Sequence, residues 1–535
     1  MDRKDWIFKA SIFKIEYSNL LEKEGVLELQ KYKLTKSLLK AGYKGLIPSP
    51  RIQRYFIGRI CDSARTPFPQ VELLTYLNYG YFQQQDGISQ TSPEYLRHLN
   101  SLQENFSTLR TPTRAIPMIN AYQCNRCKTT DPKDFIRFNC AKCERQCLYC
   151  RHCINMGRVA SCTKLLAWSG PVPRLLNTRN HQLTWGGELT DLQNRASNEL
   201  AESLLHKKSH LLHAVCGAGK TELLFRPIYE ALQRGERVCI ATPRTDVVLE
   251  LFPRLKQAFE NTMIHALYGG AKNPPQYVQL IIATTHQLYH FQNAFDLVIV
   301  DEADAFPYTS DKALQQAVQK AKKPNAPIAY VTATPSQHLL SKVKDENFGY
   351  SFIPKRFHNF PLPVPTFSAL WNYENELQKG RIPKKLQKWI GQCIEQEKPF
   401  LLFFPTIQLM ERSLPLFQAI HSKIISVNAD DPNRKEKVLQ LREEKIPGLL
   451  TTTILERGIT IKNVQVAVIG SESKIFNASA LIQIAGRVGR NSQFPDGEIL
   501  FYHHGITVGM DDARRQIMLL NESGFPRETS GEVKG

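Results

Sequence analysis

Between Leu211 and Leu224 the chain reads LLHAVCGAGKTELL, and no other stretch narrows its fold and chemistry as far. An apolar, strand-like run ends at Ala214 or Val215, a glycine-bearing loop follows, and a helical run starts near Lys220. Gly217 and Gly219 carry no Cβ, so the backbone N–H groups from Val215 and Cys216 through Ala218 can come close to phosphate oxygens. Lys220 can reach β and γ phosphates, Thr221 offers a hydroxyl to magnesium, and Glu222 opens the helix beside them. The first position of G-x-x-x-x-G-K-[ST] is Ala214 here; a methyl is tolerable there if φ is negative. A chance match is the competing explanation, and the strand–loop–helix order argues against it.

The flanking sequence predicts the sheet such a loop needs. From about Leu183, the apolar runs LLHAV, RVCIAT, QLIIAT, LVIVDE and IAYVTAT alternate with helical patterns, which implies a parallel sheet with helices on both faces. FPLPVPTF at 360–367, with three prolines, breaks the pattern and reads as a linker. Alternation then resumes through FLLFFP, IISVN, GLLTTT, VAVIG and EILFYH. The expected architecture is α/β, with two parallel-sheet domains in tandem at 166–362 and 363–535. A cysteine-rich module (116–165) and an N-terminal region (1–115) precede them. The N-terminal region carries no readable motif, although LQKYKLTKSLLKAGYKG suggests an amphipathic helix stopped by glycine.

Further residues suit phosphate chemistry. Asp301 closes the apolar strand LVIV, where a carboxylate can hold magnesium, and Glu302 can orient or deprotonate an attacking water. Alone, the pair reads equally well as surface carboxylates ending a strand; the phosphate loop upstream favours the catalytic reading. In LIQIAGRVGR, Arg487 and Arg490 lie three apart, on one face if the segment is helical. Their guanidinium groups could stabilise charge on a transferring phosphoryl group when the domains close. A solvated basic helix face is the bland alternative. Gly486 and Gly489 count against it, since two glycines weaken a helix without some reason for close approach.

Twelve cysteines are present, and eight fall between Cys124 and Cys162. They form the pairs Cys124/Cys127, Cys140/Cys143 and Cys147/Cys150, followed by Cys153 and Cys162. C-x-x-C hairpins present thiolates to one tetrahedral ion, so one or two structural zinc ions are expected, with the pairing open. Iron–sulfur ligation is the minor alternative. From Ala121 to Leu165, nine Lys/Arg and three Asp/Glu stand among Tyr122, Phe135, Phe138 and Tyr149, a composition that suits phosphate tracking and base stacking. Eight thiolates around two zinc ions would cancel much of that charge, and the aromatics could equally form a small core. SGPVPRLL then reads as a connector that sets this segment apart from the sheet domains. A formal charge of +19 points to an anionic partner, nucleic acid or an acidic membrane surface. No apolar leader and no run of membrane-spanning length is evident, which predicts a cytoplasmic protein with at most peripheral membrane contact.

The motif series resembles a superfamily 2 helicase core, with two RecA-like domains. LTDLQNRAS looks like its adenine-side motif, with Gln193 as base contact, and ATPRTDVVLEL like motif Ia, with Thr242 and Arg244 toward DNA. ATTHQL places Thr285 and His286 similarly. TATPS resembles motif III, with Thr334 toward the strand. TTTILERGITI resembles motif V, with Thr452 and Thr453 toward DNA and Gly458 toward ATP. QIAGRVGR resembles motif VI, with Gln483, Arg487 and Arg490 as catalytic residues beside Lys220, Asp301 and Glu302. Residues 301–304 spell D-E-A-D, yet RNA helicases of that name carry S-A-T and H-R-x-G-R where this chain has T-A-T and Q-x-x-G-R-x-G-R. The latter form looks like DNA-directed relatives such as PriA, so Ala303 and Asp304 read as free positions of a D-E-x-D/H motif. YCRHCINMGR ahead of the motor, and ARRQIMLLNESG at its end, resemble the ComFA family of late competence ATPases of Gram-positive bacteria. That resemblance implies an ATP- and Mg²⁺-dependent motor on single-stranded DNA. It also implies work with ComFC and the membrane DNA-uptake channel, homo-oligomers, and docking at the inner membrane face. A PriA-like restart helicase is the alternative, and a zinc scaffold with a silent nucleotide fold is a further one. Intact Lys220, Asp301, Glu302 and Arg490 speak against silence.

Overall fold

The structure, a computed structural model, describes residues 50–78, 81–90, 122–169, 181–271, 277–456 and 461–525. The helix expected in 29–45, the SGPVPRLL connector beyond Ser169, and Gly458 lie outside these residues.

Two parallel sheets dominate. The first comprises β8 (Ser209–Ala214), β9 (Val238–Thr242), β10 (Ile264–Leu267), β11 (Leu280–Thr284), β12 (Leu297–Asp301), β13 (Ile328–Thr332) and β14 (Phe348–Ile353), in the order β10-β11-β9-β12-β13-β8-β14. The second comprises β15 (Thr366–Ala369), β16 (Phe400–Phe403), β17 (Ile425–Val427), β18 (Gly448–Thr451), β19 (Gln465–Ile469) and β20 (Ile499–His503), in the order β15-β20-β19-β16-β18-β17. Every apolar run named from the sequence is a strand. Central strands such as β9, β11, β12 and β13 are buried along their full length, as strands covered by helices on both faces must be.

Three strands escaped the pattern, and all three sit at sheet edges. The strands β10, β14 and β15 are mostly half-buried, so their sequences lack a continuous apolar run. β15 takes Thr366 and Phe367 from the proline stretch read as linker; the segment ahead of it, 360–365, has no regular structure. Parallel strands bring Ala214, Thr242, Thr284, Asp301 and Thr332 to one edge of the first sheet, the edge where ligands bind in open α/β folds.

Ahead of the motor, β1 (Ile60–Asp62), β2 (Phe82–Asp86), β3 (Ile88–Gln90), β4 (Tyr122–Cys124), β5 (Phe135–Cys140), β6 (Arg145–Cys150) and β7 (Lys164–Trp168) form small antiparallel sheets. β7 closes the cysteine segment and lies between β1 and β2, so the residues before and after the cysteines share one sheet. The expectation that the cysteine segment stands apart from the motor is corrected. Cys124, Cys127, Cys150, Cys153 and Val159 belong to one buried cluster with Leu288, Tyr289, Phe291 and Val298 of the first RecA-like domain. The buried Arg237 adds a second tie: Nη1 donates to Ile57 O at 3.2 Å, and Tyr277, Phe291 and Phe295 surround the guanidinium. Apolar burial holds the module on the sheet domain. Among the described residues, no helix is long and apolar enough to cross a membrane.

Candidate nucleotide and metal sites

The phosphate loop leaves β8 at Ala214 and enters the helix at Lys220, as its sequence predicts. Gly217 and Gly219 take φ of +83° and +75°, conformations that favour glycine. A Cβ on Gly219 would also lie 2.5 Å from Gln193 Nε2. Gln193 is itself held twice. It completes a capping box with Thr190, and its Nε2 donates to Ala218 O at 2.9 Å. The helix start at Thr190 and the glycine loop are thus tied through one amide. Lys220 Nζ donates to Ala214 O at 3.0 Å and Val215 O at 3.3 Å, which stretches the ammonium across the loop mouth.

A cavity of about 580 Å³ opens above this loop between the two domains. The first domain contributes Gln193, Gly217, Gly219, Lys220, Thr221, Glu222, Asp301 and Glu302, and the second contributes Gln483, Arg487 and Arg490. Val215, Cys216 and Ala218, within the loop itself, are buried. The expected single helical face for the arginines is corrected. The helix Ala478–Ala485 ends at Gly486; Arg487 lies in the turn that follows and Arg490 directly after it. The expectation of a close approach at the glycines holds: a Cβ on Gly486 would fall 2.4 Å from Cys216 Cβ. Cys216 Sγ donates to Gln483 Oε1 at 3.1 Å across the same seam. Burial, with Arg490 nearby, pushes the Arg487 guanidinium below its ordinary pKa, while Nε and Nη2 donate to Glu456 O at 2.9 and 2.6 Å.

Asp304 reads in the sequence as a free position of its motif, and the structure corrects that reading. Its carboxylate accepts from Thr332 Oγ1 at 2.7 Å, Thr334 Oγ1 at 2.6 Å and Ser479 Oγ at 3.0 Å. One side chain therefore links the D-E-A-D strand, the T-A-T turn and the second domain. A carboxylate three residues beyond Asp301, with hydroxyls at two known motif positions, was the signal available in the sequence.

The residues expected to face nucleic acid divide into groups. Thr242 and Thr285 sit at the ligand edge of the first sheet with buried hydroxyls, and His286 follows Thr285 in a short 3-10 turn, Thr285–His290. Arg244 is turned across the domain seam, donating to Thr453 O at 3.3 Å and pairing with Glu456. Thr334 faces Asp304 and Ser479 rather than an open groove. Thr452 and Thr453 follow β18 at the corresponding edge of the second sheet.

The eight clustered cysteines fall into two tetrads, Cys124/Cys127/Cys150/Cys153 and Cys140/Cys143/Cys147/Cys162, each with its sulfurs within 4.8 Å of one another. Zinc at about 2.3 Å from four sulfurs requires S···S edges of about 3.8 Å. The separations of 3.9 Å (Cys124–Cys153), 3.6 Å (Cys127–Cys150), 3.8 Å (Cys150–Cys153) and 3.7 Å (Cys140–Cys162) fit that tetrahedron, whereas Cys143–Cys147, at 3.3 Å, is tighter and must open to admit an ion. The pair Cys147/Cys150 suggested by spacing is split between tetrads. Both residues lie in β6, and residues three apart on an extended strand point to opposite faces. The inner tetrad packs on the motor; the outer one includes the half-exposed Cys143 and Cys162.

Three family models match in sequence order: "Competence protein ComFA N-terminal domain" at residues 44–167, "DEAD/DEAH box helicase" at 190–342 and "Helicase conserved C-terminal domain" at 382–492. Competence protein ComFA of Bacillus subtilis (strain 168) is 45% identical over 401 residues, covering 75% of this chain and 86% of the relative. Its counterpart in Streptococcus pneumoniae (strain ATCC BAA-255 / R6) is 37% identical over 376 residues, covering 70% and 86%. Among solved structures, Saccharomyces cerevisiae Dbp5 bound to RNA and ADP BeF3 matches with a TM-score of 0.48 and 13% identity, covering 62% of this chain and 88% of that one. The helicase domains make this an ATP-hydrolysing enzyme of the superfamily 2 helicase type, a motor that works on nucleic acid in competence. The chain belongs to the ComFA family of competence proteins.

Proposed function

We propose that this motor moves along single-stranded DNA, using ATP and Mg²⁺, to draw DNA in during natural transformation. One observation carries the reading: residues from both domains line a single cavity above the phosphate loop. Hydrolysis there depends on how the domains sit, and a change in their spacing is what moves a strand.

In this reading Lys220 holds the β and γ phosphates, Thr221 and Asp301 hold the magnesium, and Glu302 takes the proton of the attacking water. Arg487 and Arg490 stabilise the transferring phosphoryl group from the second domain, with Gln483 beside them. Gln193 reads the base. His286, Thr452 and Thr453 lie toward the strand, with the buried Thr242 and Thr285 supporting that edge from beneath, while Arg244, Thr334 and Asp304 transmit domain movement to it. The two cysteine tetrads hold one zinc ion each, which supplies folding free energy to the module. Family membership supports ComFC, the uptake channel and other copies of the chain as partners, at the inner face of the membrane. It supports this assignment over replication restart.

ATP hydrolysis measured alone, with single-stranded DNA, with forked duplex and with RNA tests the proposal. The expected result is strongest stimulation by single-stranded DNA. Stimulation by forks alone would favour the restart role, and stimulation by RNA alone would remove DNA as the track.

A further inference from the structure

We propose that the outward face of the cysteine module binds single-stranded nucleic acid and extends the motor's own track. This rests on the reading of the motor as a single-strand enzyme, and the experiment below separates the two.

The strands β5 and β6 form a hairpin whose β6 edge is met by residues 159–161, with Cys150 N donating to Val159 O at 3.0 Å and Ser161 N to Leu148 O at 2.9 Å; among the described residues no further named strand pairs with it. Strand alternation and the pairing Ile136↔Tyr149 and Phe138↔Cys147 put Ile136, Phe138 and Tyr149 on one face. Phe138 and Tyr149 meet edge to face at 5.6 Å, and the Arg158 guanidinium lies 5.0 Å over the Phe138 ring. Ile136 is 37% exposed beside them. Rings with an exposed apolar neighbour and a guanidinium plane offer unpaired bases a stacking platform.

Charge selects the occupant. Lys133, Arg137, Lys142, Arg145, Arg151 and Arg158 are all exposed on this module. They outnumber the exposed Asp131 and Glu144 together with the residual charge of about −2 on the outer tetrad; the like charge of the inner tetrad is buried against the motor. The outer tetrad pins the hairpin tip, because Cys140 and Cys147 lie on its strands and Cys143 in its turn. The platform is therefore presented rigidly.

Position joins it to the motor. His152 lies two residues past β6, with Nε2 3.1 Å from Tyr289 Oη and 3.4 Å from Asp311 Oδ2. Tyr289 belongs to the same turn as Thr285 and His286. A strand that passes this turn meets the module next.

The test is the salt dependence of binding, read by fluorescence anisotropy on the full-length zinc-loaded protein. Lys142→Ala, Arg145→Ala and Arg158→Ala are combined, because none of the three contributes to the ATP cavity. Each phosphate contact on a single strand contributes about 0.7 to the slope of log K against log salt. The triple variant should lower the slope by about 2 on a long strand of roughly 40 nucleotides, and leave it unchanged on a short one of roughly 10 that the motor cleft covers alone. Zinc content must match wild type. If the triple variant loses metal, Arg158→Ala alone should lower the slope by about 0.7. An unchanged slope on the long strand, with zinc retained and hydrolysis still stimulated by DNA, overturns this inference and leaves the motor reading standing. Absence of binding and stimulation by any strand in wild type overturns both. An unchanged slope with lost binding to an acidic protein assigns the surface to that protein and overturns the proposal.

Discussion

Gly486→Ala tests whether the close approach of the two domains is the catalytic arrangement. A methyl there falls 2.4 Å from Cys216 Cβ and 2.8 Å from Cys216 Sγ, whereas ordinary contact begins near 3.4 Å. Cys216 is 2% exposed within the phosphate loop, so it has little room to yield. The turn that bears Arg487 and leads into Arg490 must then retreat by about 1 Å, and a misplacement of that size costs roughly 100-fold in rate, or about 2.7 kcal/mol of barrier. The phosphate loop lies wholly in the first domain, so nucleotide affinity should change far less than kcat. Fluorescent-nucleotide titration and steady-state hydrolysis, with and without single-stranded DNA, separate the two quantities. Gly391→Ala is the control: a Cβ there meets nothing within 4 Å, and its helix should gain about 0.5–1 kcal/mol. Wild-type kcat in Gly486→Ala would refute the reasoning, because it would mean that catalysis uses a domain arrangement in which this contact is absent.

Lys220→Ala should abolish turnover by removing the point cation from the phosphates, whereas Glu302→Gln should keep nucleotide binding and lose hydrolysis by about 100-fold or more; equal turnover in the glutamine variant would remove Glu302 from its role. Cys150→Ser and Cys140→Ser should each lower zinc content, but only the first should lower the melting temperature and basal hydrolysis of the motor, since only the inner tetrad shares its buried cluster; metal analysis with calorimetry decides. Asp304→Ala should reduce DNA stimulation more than basal hydrolysis, because it removes the acceptor shared by Thr332, Thr334 and Ser479. Burial pushes His210 down to about 4, so the unfolded chain takes up a proton below the ordinary value near 6.5 while the folded chain does not. The contribution of His210 is full above that range and falls by roughly 1.4 kcal/mol per pH unit on acidification toward about 4; His213 and His290, pushed down by burial in the same way, add to the slope, so His210→Asn should reduce it by about that amount in denaturant titrations.

Much of this protein is legible along the chain because its chemistry is local. The phosphate loop needs a strand, two glycines, a lysine and a hydroxyl within a dozen residues, and covalent order alone delivers them. Buried parallel strands announce themselves as unbroken apolar runs, which is why β8, β9, β11, β12, β13 and β16 were readable and the edge strands β10, β14 and β15 were not. Cysteine content and spacing were enough to expect zinc. Tertiary structure decided what depends on direction and distance. The extended backbone of β6 sends Cys147 and Cys150 to opposite faces, so the tetrads cut across the sequence pairs. The docking of the inner tetrad on Leu288 and Tyr289 joins residues more than a hundred positions apart, which no periodicity encodes. Asp304 gained Ser479, and Gly486 its close neighbour, only when the two sheet domains met across the nucleotide cavity. Local patterns determine which elements form, but the contacts between elements follow from how their buried faces pack.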